Sequence, residues 1–375
     1  MFERIYTILI KEFKQVLRDP RMRSMIFISP VLQVLIFGYA ATTDVKNIPT
    51  AIYDLDNTPQ SRDIIRAFSY SKYFNLKYYV NNDKQEKELI DKSKVGVVLR
   101  FNHGFAEELE GNKGAEIQLI VDGTDSNTAA IALSYAGKII QKYSYSVLKE
   151  RVSILLKKEA VFPSVDLRDR AWFNENLESR NYFIPGVIAM LITVTSILLS
   201  AMAIVREKEI GTIEQLLVSP IKPIELILGK LAPFAVISLI DLIFIAAIGV
   251  IWFKIPIRGS VLLLLGSTCI YLLTTLGAGL FISTISSTQQ EASMSIFLFL
   301  PVMNLLSGFA FPITSMPKAI QYFTYAIPLR YYLEIVRGIF LKGIGIRILW
   351  PQLLILLIIG TSIITLSSLR FHKRL

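Results

Sequence analysis

The residues of this chain that could do chemistry are few and scattered. Asp54, Asp56, Asp122 and Asp125 are candidates for metal binding or acid–base work, but aspartates in turns after strands give the same pattern, and the turn reading is favoured. His103 and His372 are separated by several long apolar runs, and the one cysteine, Cys269, lies inside such a run. No Cys/His metal set can be built from them. Neither a GxSxG elbow nor a His–Glu zinc pattern is present. Gly229-Lys230 is followed by Leu231 and lacks an upstream glycine at phosphate-loop spacing. The expectation is a chain with no catalytic residue, no metal site and no nucleotide cofactor of its own.

Two charged features stand out because of where they sit. Asp241 interrupts an otherwise apolar run, Leu231–Phe253. Intramembrane acids are costly and face protein or water, so Asp241 is a candidate for an ion or substrate path; the alternative is an interhelical hydrogen bond to a hydroxyl such as Thr274 or Thr275. The second feature is the island REKEIGTIEQLLVSPIKPIELILGK at 206–230, between two apolar runs. On a helix, Ile210, Ile213 and Leu217 share one face, and Glu207, Gly211 and Glu214 the next. Ser219-Pro220 ends that helix, Pro223 suits the first turn of another, and Glu225 is favourable at its positive end. The expected form is a helical elbow, apolar on one side and presenting carboxylates on the other; a solvated loop held by Glu–Lys pairs is the alternative.

The elements that carry these features are set by hydropathy. Charge-free runs occur at 24–43, 181–205, 259–290, 292–317 and 348–369, and 231–253 is broken only by Asp241. About 20 apolar residues cross a hydrocarbon core of roughly 30 Å, so six spans are expected. A cleaved leader is disfavoured for the first run, because its 23-residue charged flank and its apolar core are too long. The net charge of +10 does not mark a nucleic-acid partner, since residues 44–180 hold 20 Lys/Arg and 20 Asp/Glu. The excess flanks the spans: thirteen Lys/Arg lie in the N-terminus, the island and the tail, against seven in the two opposite loops. Both termini and the island are therefore expected in the cytoplasm, with residues 44–180 outside. That region lacks cysteine and must rest on an ordinary packed core.

Residues 1–20 form a basic amphipathic pattern suited to the membrane interface, with Phe2, Ile5, Ile8, Leu9, Phe13, Val16 and Leu17 on one side and Arg4, Lys11, Lys14, Gln15 and Arg18 on the other. A bend is expected at Asp19-Pro20. The outside region reads as α/β, with strands at 49–54, 75–80, 95–101 and 116–121 and helical patterns between them. A long helix is expected over 127–160, capped by Ser126 or Asn127, either standing clear or lying on the domain's flank. Residues 312–342 are aromatic and interrupted by Pro317, Pro328 and Gly338, which fits short helices dipping into the outer leaflet or simple interfacial anchoring.

The island resembles the permease subunits of type-2 ATP-binding-cassette exporters, through the pattern VRE-x-E-x-GT-x-EQLL-V-x-P-I-x-P-x-E-L-x-LGK over 205–230. KEFKQVLRDPR at 11–21, YDLDNTPQSRDIIRAF at 53–68, VDGTDSNTA at 121–129, PGVIAM at 185–190 and PLRYYLEIVRGIFLKGIG at 328–345 are similar to the variant with a large extracytoplasmic domain after the first span. The resemblance implies an α-helical integral membrane protein of six transmembrane helices with an inserted α/β extracytoplasmic domain, in the bacterial inner membrane. Its segments would be an interfacial helix at 1–20, spans at 21–43, 181–205, 231–253, 259–282, 292–311 and 348–369, the domain at 44–180, the coupling elbow at 206–230, re-entrant helices at 312–347 and a tail at 370–375. It also implies coupling to a separate ABC ATPase through Arg206, Glu207, Glu209, Gly211, Thr212, Glu214, Pro220, Pro223, Glu225 and Lys230, with the carboxylates facing basic residues of that partner. ATP and Mg would reside on the ATPase. A second permease copy or paralogue is implied, and in double-membrane bacteria a periplasmic adaptor and an outer-membrane duct.

The expected function is outward movement of an amphipathic, drug-like or lipid-linked compound. The rival is a membrane-anchored receptor or phage-attachment protein, which needs fewer spans and no organised elbow. A secondary transporter would show paired intramembrane charges and internal repeats, and neither is apparent.

Overall fold

The computed structural model describes residues 2–40, 45–111, 114–157, 170–175, 178–211 and 223–373. The chain divides into two compact units, Met1–Thr42 with Arg170–Leu375, and Thr43–Asp169. The first unit opens with α1 (Phe2–Arg18), α2 (Pro20–Arg23), a π-helical turn (Ser24–Ile28) and α3 (Ser29–Ala40). The bend falls at Asp19, where the Asp19 carboxylate accepts the Met22 amide at 3.4 Å and Pro20 supplies a first residue that needs no amide partner.

The second unit holds β1 (Ile48–Asp54), α4 (Pro59–Ser69), β2 (Phe74–Tyr79), α5 (Asp83–Asp91), β3 (Val97–Phe101), α6 (Phe105–Glu110), β4 (Ile117–Val121) and α7 (Ser126–Leu156). Strand order is β2-β1-β3-β4, with β1 parallel to β2 and β3, and β4 antiparallel to β3. Alternation along the strands feeds two cores. Ile52, Val97, Leu99 and Phe101 pack with Ile64 and Phe68 of α4 and Ala132 and Ala136 of α7, while Ala51, Tyr53 and Val98 pack with Leu89 and Ile90 of α5. The long helix therefore lies along its own unit's flank over its first half. Its cap is Asp125, which accepts the Asn127 and Thr128 amides at 3.1 and 3.2 Å, rather than Ser126 or Asn127. Residues 158–160 of the expected helix lie outside the described residues.

All four suspect aspartates are engaged in turns and caps. Asp54 accepts from the Asp56 and Asn57 amides and from Ser61, and Asp122 accepts from Thr124. Asp56 reaches across 48 residues to accept the Gly104 amide at 2.9 Å and the Ala106 amide at 3.1 Å, anchoring the start of α6. Burial pushes the Asp56 carboxyl up, but the Thr58 hydroxyl and the Ala106, Gly104 and Phe105 amides outweigh it and hold it below the usual aspartate range. Among the described residues no cluster of His, Cys, Asp and Glu could hold a metal ion.

The first unit resumes with α8 (Ser179–Ile210), α9 (Pro223–Ile251), α10 (Val261–Ile285), α11 (Gln289–Leu306), a 3-10 turn (Ile313–Ser315), α12 (Lys318–Thr324), α13 (Pro328–Arg337), a π-helical turn (Gly338–Lys342) and α14 (Ile346–Lys373). α8 is the axle: α3, α9, α10, α11 and α13 all pack on it, and α10 lies along α14. The α8–α10 approach is close enough that a Cβ at Gly279 would strike the Ser200 hydroxyl and lie 2.6 Å from the Ile197 carbonyl. A stacked pair, Tyr271 of α10 on Tyr332 of α13 at 3.9 Å, is pinned at one hydroxyl by Thr193 of α8 and at the other by Thr268.

Among the described residues four helices are long and apolar enough to cross a membrane: Ser179–Ile210, Ile227–Ile251, Val261–Ile285 and Ile346–Arg370. The other two expected spans are weaker. The apolar part of the first covers only Ile26–Tyr39, and α11 opens on Gln289, Gln290 and Glu291 and stops before Gly308, whose φ of +82° ends the run. The aromatic connector divides in two: α12 exposes Tyr322 and Phe323, whereas Tyr331 and Tyr332 of α13 are buried.

Asp56→Ala removes the acceptor of the Gly104 and Ala106 amides at the start of α6. The cost is expected to be about 1–3 kcal/mol. In hydrogen–deuterium exchange of the full chain, residues 104–110 should exchange at least tenfold faster, roughly the rate effect of that loss. Because the folded carboxyl titrates below its unfolded counterpart, this protection is complete above the ordinary aspartate range and is lost as the pH falls through the lowered value.

Candidate functional site

The last turns of α8 carry the charges of the sequence island, and each is tied to a different element. Glu207 accepts from Lys11 of α1 at 2.9 Å and from Lys230 of α9 through a shorter ion pair. Both Glu207 and Lys230 are buried. Arg206 pairs with Asp19, between α1 and α2, at 3.1 Å. The Lys208 ammonium donates to the Ser283 and Ser286 carbonyls, the negative end of α10. Glu209 accepts the Gln289 amide at 2.7 Å and its side-chain amide at 2.5 Å, a carboxylate against the positive start of α11. One helix end thus holds α1, α9, α10 and α11.

Glu12 belongs to the same cluster. It sits on the buried side of α1, which packs on α9, and its carboxylate lies 3.9 Å from the Lys11 ammonium. Burial pushes the Glu12 carboxyl up against the pull of Lys230; Glu207 adds to the rise, and Lys11 and Arg206 oppose it. Sequence reasoning missed this residue, although a signal existed. Glu12 is one turn from Ile8, Leu9 and Val16, an acid on the apolar stripe of an amphipathic helix.

Of the residues expected to face an ATPase, Glu207 and Lys230 are instead buried against one another. Two charges so close attract strongly in a dry site, and leaving either one alone there is costly, so they close inward. Glu225 is buried in the first turn of α9, which Pro223 begins. Glu209 is exposed and engaged with α11. Gly211 ends α8 with φ +79°, and its amide bonds to the Glu207 and Lys208 carbonyls. Its backbone angle, not crowding, calls for glycine there, because a Cβ would meet nothing within 4 Å. Thr212, Glu214 and Pro220 lie outside the described residues. Ile210, just before them, is 63% exposed.

Within the bundle, a cavity of about 300 Å³ lies between α3, α8, α11 and α13. Its walls are mainly apolar (Met190, Phe297 and Leu300 among them), with Gln33, Thr193 and Asn304 as polar points. The Asn304 amide donates weakly to the Met190 sulfur at 3.7 Å, while its buried carbonyl oxygen has no hydrogen-bond partner among the described residues. Mostly apolar walls with a few convergent polar groups are the usual makeup of a small-molecule site. Sequence reading singled out none of these residues, since a lone Gln or Asn in an apolar run carries no spacing signal.

Asp241 is buried on α9 beside Thr195 of α8. Thr274 and Thr275, the expected partners, donate instead to the Tyr271 and Leu272 carbonyls of their own helix. Thr195 donates to the Leu191 carbonyl, so neither Asp241 oxygen accepts a hydrogen bond among the described residues. Thr195 lies two residues, about 200°, around α8 from the cavity-lining Thr193. Asp241 therefore stands on the far side of α8 from that cavity.

Comparison with known proteins accords with this architecture. A family model described as ABC-2 family transporter protein matches residues 20–369. The chain is 32% identical over 374 residues to a protein named probable multidrug ABC transporter permease YbhR from Escherichia coli (strain K12), covering 100% of both chains. It is 32% identical over 382 residues to the probable multidrug ABC transporter permease YbhS of the same organism, covering 100% of this chain and 98% of the relative. Inner membrane transport permease YhhJ, also from that organism, is 28% identical over 375 residues, with 98% and 97% covered. Similarity that runs from end to end in this way assigns the chain to the ABC-2 family of transporter proteins, as a type-2 ABC permease.

Proposed function

We propose that this permease exports an amphipathic, drug-like or lipid-linked compound, driven by ATP hydrolysed on a separate ABC ATPase that binds at the elbow after α8. The observation that carries the reading is the junction at residues 206–209, where one helix end grips four others. Residues 212–222 join α8 to α9 in the sequence, so a push there reaches these two helices directly, and the ion pairs and helix-end contacts pass it to α1, α10 and α11. Packed interiors transmit such displacements because they compress little. Two of the helices so moved, α8 and α11, line the 300 Å³ cavity, which serves as the substrate site in this reading.

The same reading takes α3 and α11 as the fifth and sixth crossings and places the junction and both termini in the cytoplasm of an inner-membrane protein. The Thr43–Asp169 unit then lies outside. The names of the relatives support a multidrug substrate range and an inner-membrane address. A second permease chain completes the transporter, ATP and Mg reside on the ATPase, and a periplasmic adaptor and outer-membrane duct are partners to look for in a double-membrane cell.

Affinity purification of the tagged chain from its native membrane in mild detergent is expected to recover an ABC ATPase. Glu214→Lys should cut that recovery and dye efflux from cells together, leaving membrane insertion intact. Unchanged recovery and efflux would remove the docking claim. Glu207→Gln leaves Lys230 buried without its nearest counter-charge, a loss of roughly 3–5 kcal/mol. It should lower the thermal midpoint of the purified chain, and the double variant Glu207→Gln with Lys230→Met, which removes both buried charges together, should restore much of it. Asp241→Asn keeps the side chain's shape and, given its place behind α8, is expected to leave efflux close to that of the unaltered chain. A complete loss would return Asp241 to the pathway.

A further inference from the structure

A second cavity, about 420 Å³ in volume, opens between α8, α10, α11 and α14. It differs from the first in kind. Its lining includes Ile197, Phe281, Ile285, Ile296, Phe299 and Leu366, and no polar side chain takes part. Its place along the bundle is fixed by the last turns of α10 and α14, the end at which Lys208 of α8 meets the Ser283 and Ser286 carbonyls.

A cation stands at this end of the slot. Arg370 follows Leu366 by four residues, so the two share a helix face. Its guanidinium lies 5.5 Å from the ring centroid of Phe281, itself a wall of the slot. Among the described residues Arg370 pairs with no carboxylate, and Lys373 and Arg374 follow it in the sequence. An apolar slot that ends at a cation without a carboxylate partner among the described residues matches one chemistry: a long alkyl chain with an anionic head.

We infer that the slot holds an acyl chain of an anionic phospholipid from the leaflet adjoining this end of the bundle, with the lipid phosphate on Arg370. Inside a bilayer the apolar walls give little preference, because neighbouring tails are as apolar as the slot. Selectivity therefore falls to the head group, where each basic residue near the surface favours an anionic lipid by about fivefold. The export substrate is a poorer fit, since the slot offers no polar point to orient it, unlike the Gln33, Thr193 and Asn304 cavity.

The test is native mass spectrometry of the full chain, released from nanodiscs of equal phosphatidylglycerol and phosphatidylethanolamine with identical acyl chains. Retained phosphatidylglycerol is expected to exceed phosphatidylethanolamine by about fivefold or more. Arg370→Gln should lower the ratio by about fivefold at most, and measurably, without lowering the total retained. Leu366→Trp, at a position 61% exposed and so mild for folding, should narrow the slot and cut retention of both lipids. Equal retention by the unaltered chain, or an undiminished ratio in Arg370→Gln, overturns the inference. So does efficient cross-linking of Leu366→Cys between two chains without lipid adducts, which gives the slot to a second copy.

Discussion

A carboxylate closed between two ammonium groups is the constraint on which the bundle depends. Glu207, Lys11 and Lys230 come from three helices that are distant in sequence, and two of the three groups are withdrawn from water. Such a cluster adds little net stability, because desolvation offsets most of the attraction. Its effect is on geometry. Parting Glu207 from its partners leaves the buried Lys230 without its counter-charge, so the ends of α1, α8 and α9 are held to a common position. Arg206 on Asp19 and Glu209 on Gln289 extend the same restraint to the α1–α2 bend and to α11. These contacts are concentrated in the final turn and a half of α8, immediately before Gly211 ends the helix.

That restraint gives α8 two distinct sides. Thr193 faces the Tyr271–Tyr332 stack and the mixed cavity, while Thr195 turns to Asp241 and α9. Gly279 brings α10 into backbone contact at Ser200 and Ile197. Rotating α8 within this packing would break the Thr193 hydroxyl contact and drive Ser200 against α10, and both are penalised where no water can substitute. Motion along the helix axis or tilting with its neighbours strains fewer of these contacts. A rigid unit of α8 with α10 is therefore a more economical moving part than α8 alone.

How much of this was legible beforehand follows the range of the interaction. The four strands lie within two residues of their expected limits, because alternation and turn residues are local signals. The four long apolar helices were equally plain. The other two runs, at 24–43 and 292–317, are less regular than their charge-free length suggests, because Ser24–Ile28 and Gly308 interrupt them locally. The site fared differently. Helical faces within the island set Glu207 beside Gly211 and Glu214 but cannot show that Glu207 turns inward, because its partners are 196 and 23 residues away. Glu12 was readable from its stripe and went unread. Asn304 and Gln33 were not readable at all.

The two cavities of the bundle divide recognition between them according to what a hydrocarbon solvent can and cannot discriminate. Apolar contact confers little selectivity inside a membrane, where every lipid tail offers the same, whereas a buried hydrogen-bonding group without a partner carries a standing penalty. The Asn304 carbonyl is such a group, and it lines the smaller cavity. A ligand bearing a donor at that point relieves the penalty, and a purely aliphatic one does not, so the ambient lipid that could flood the cavity is at a disadvantage there. In the larger slot no polar atom asks for a partner, and alkyl chains can fill it without penalty. Leu300 and Met303 of α11 line both cavities, so the two are neighbours around that helix and differ in the polar points that only the smaller one carries.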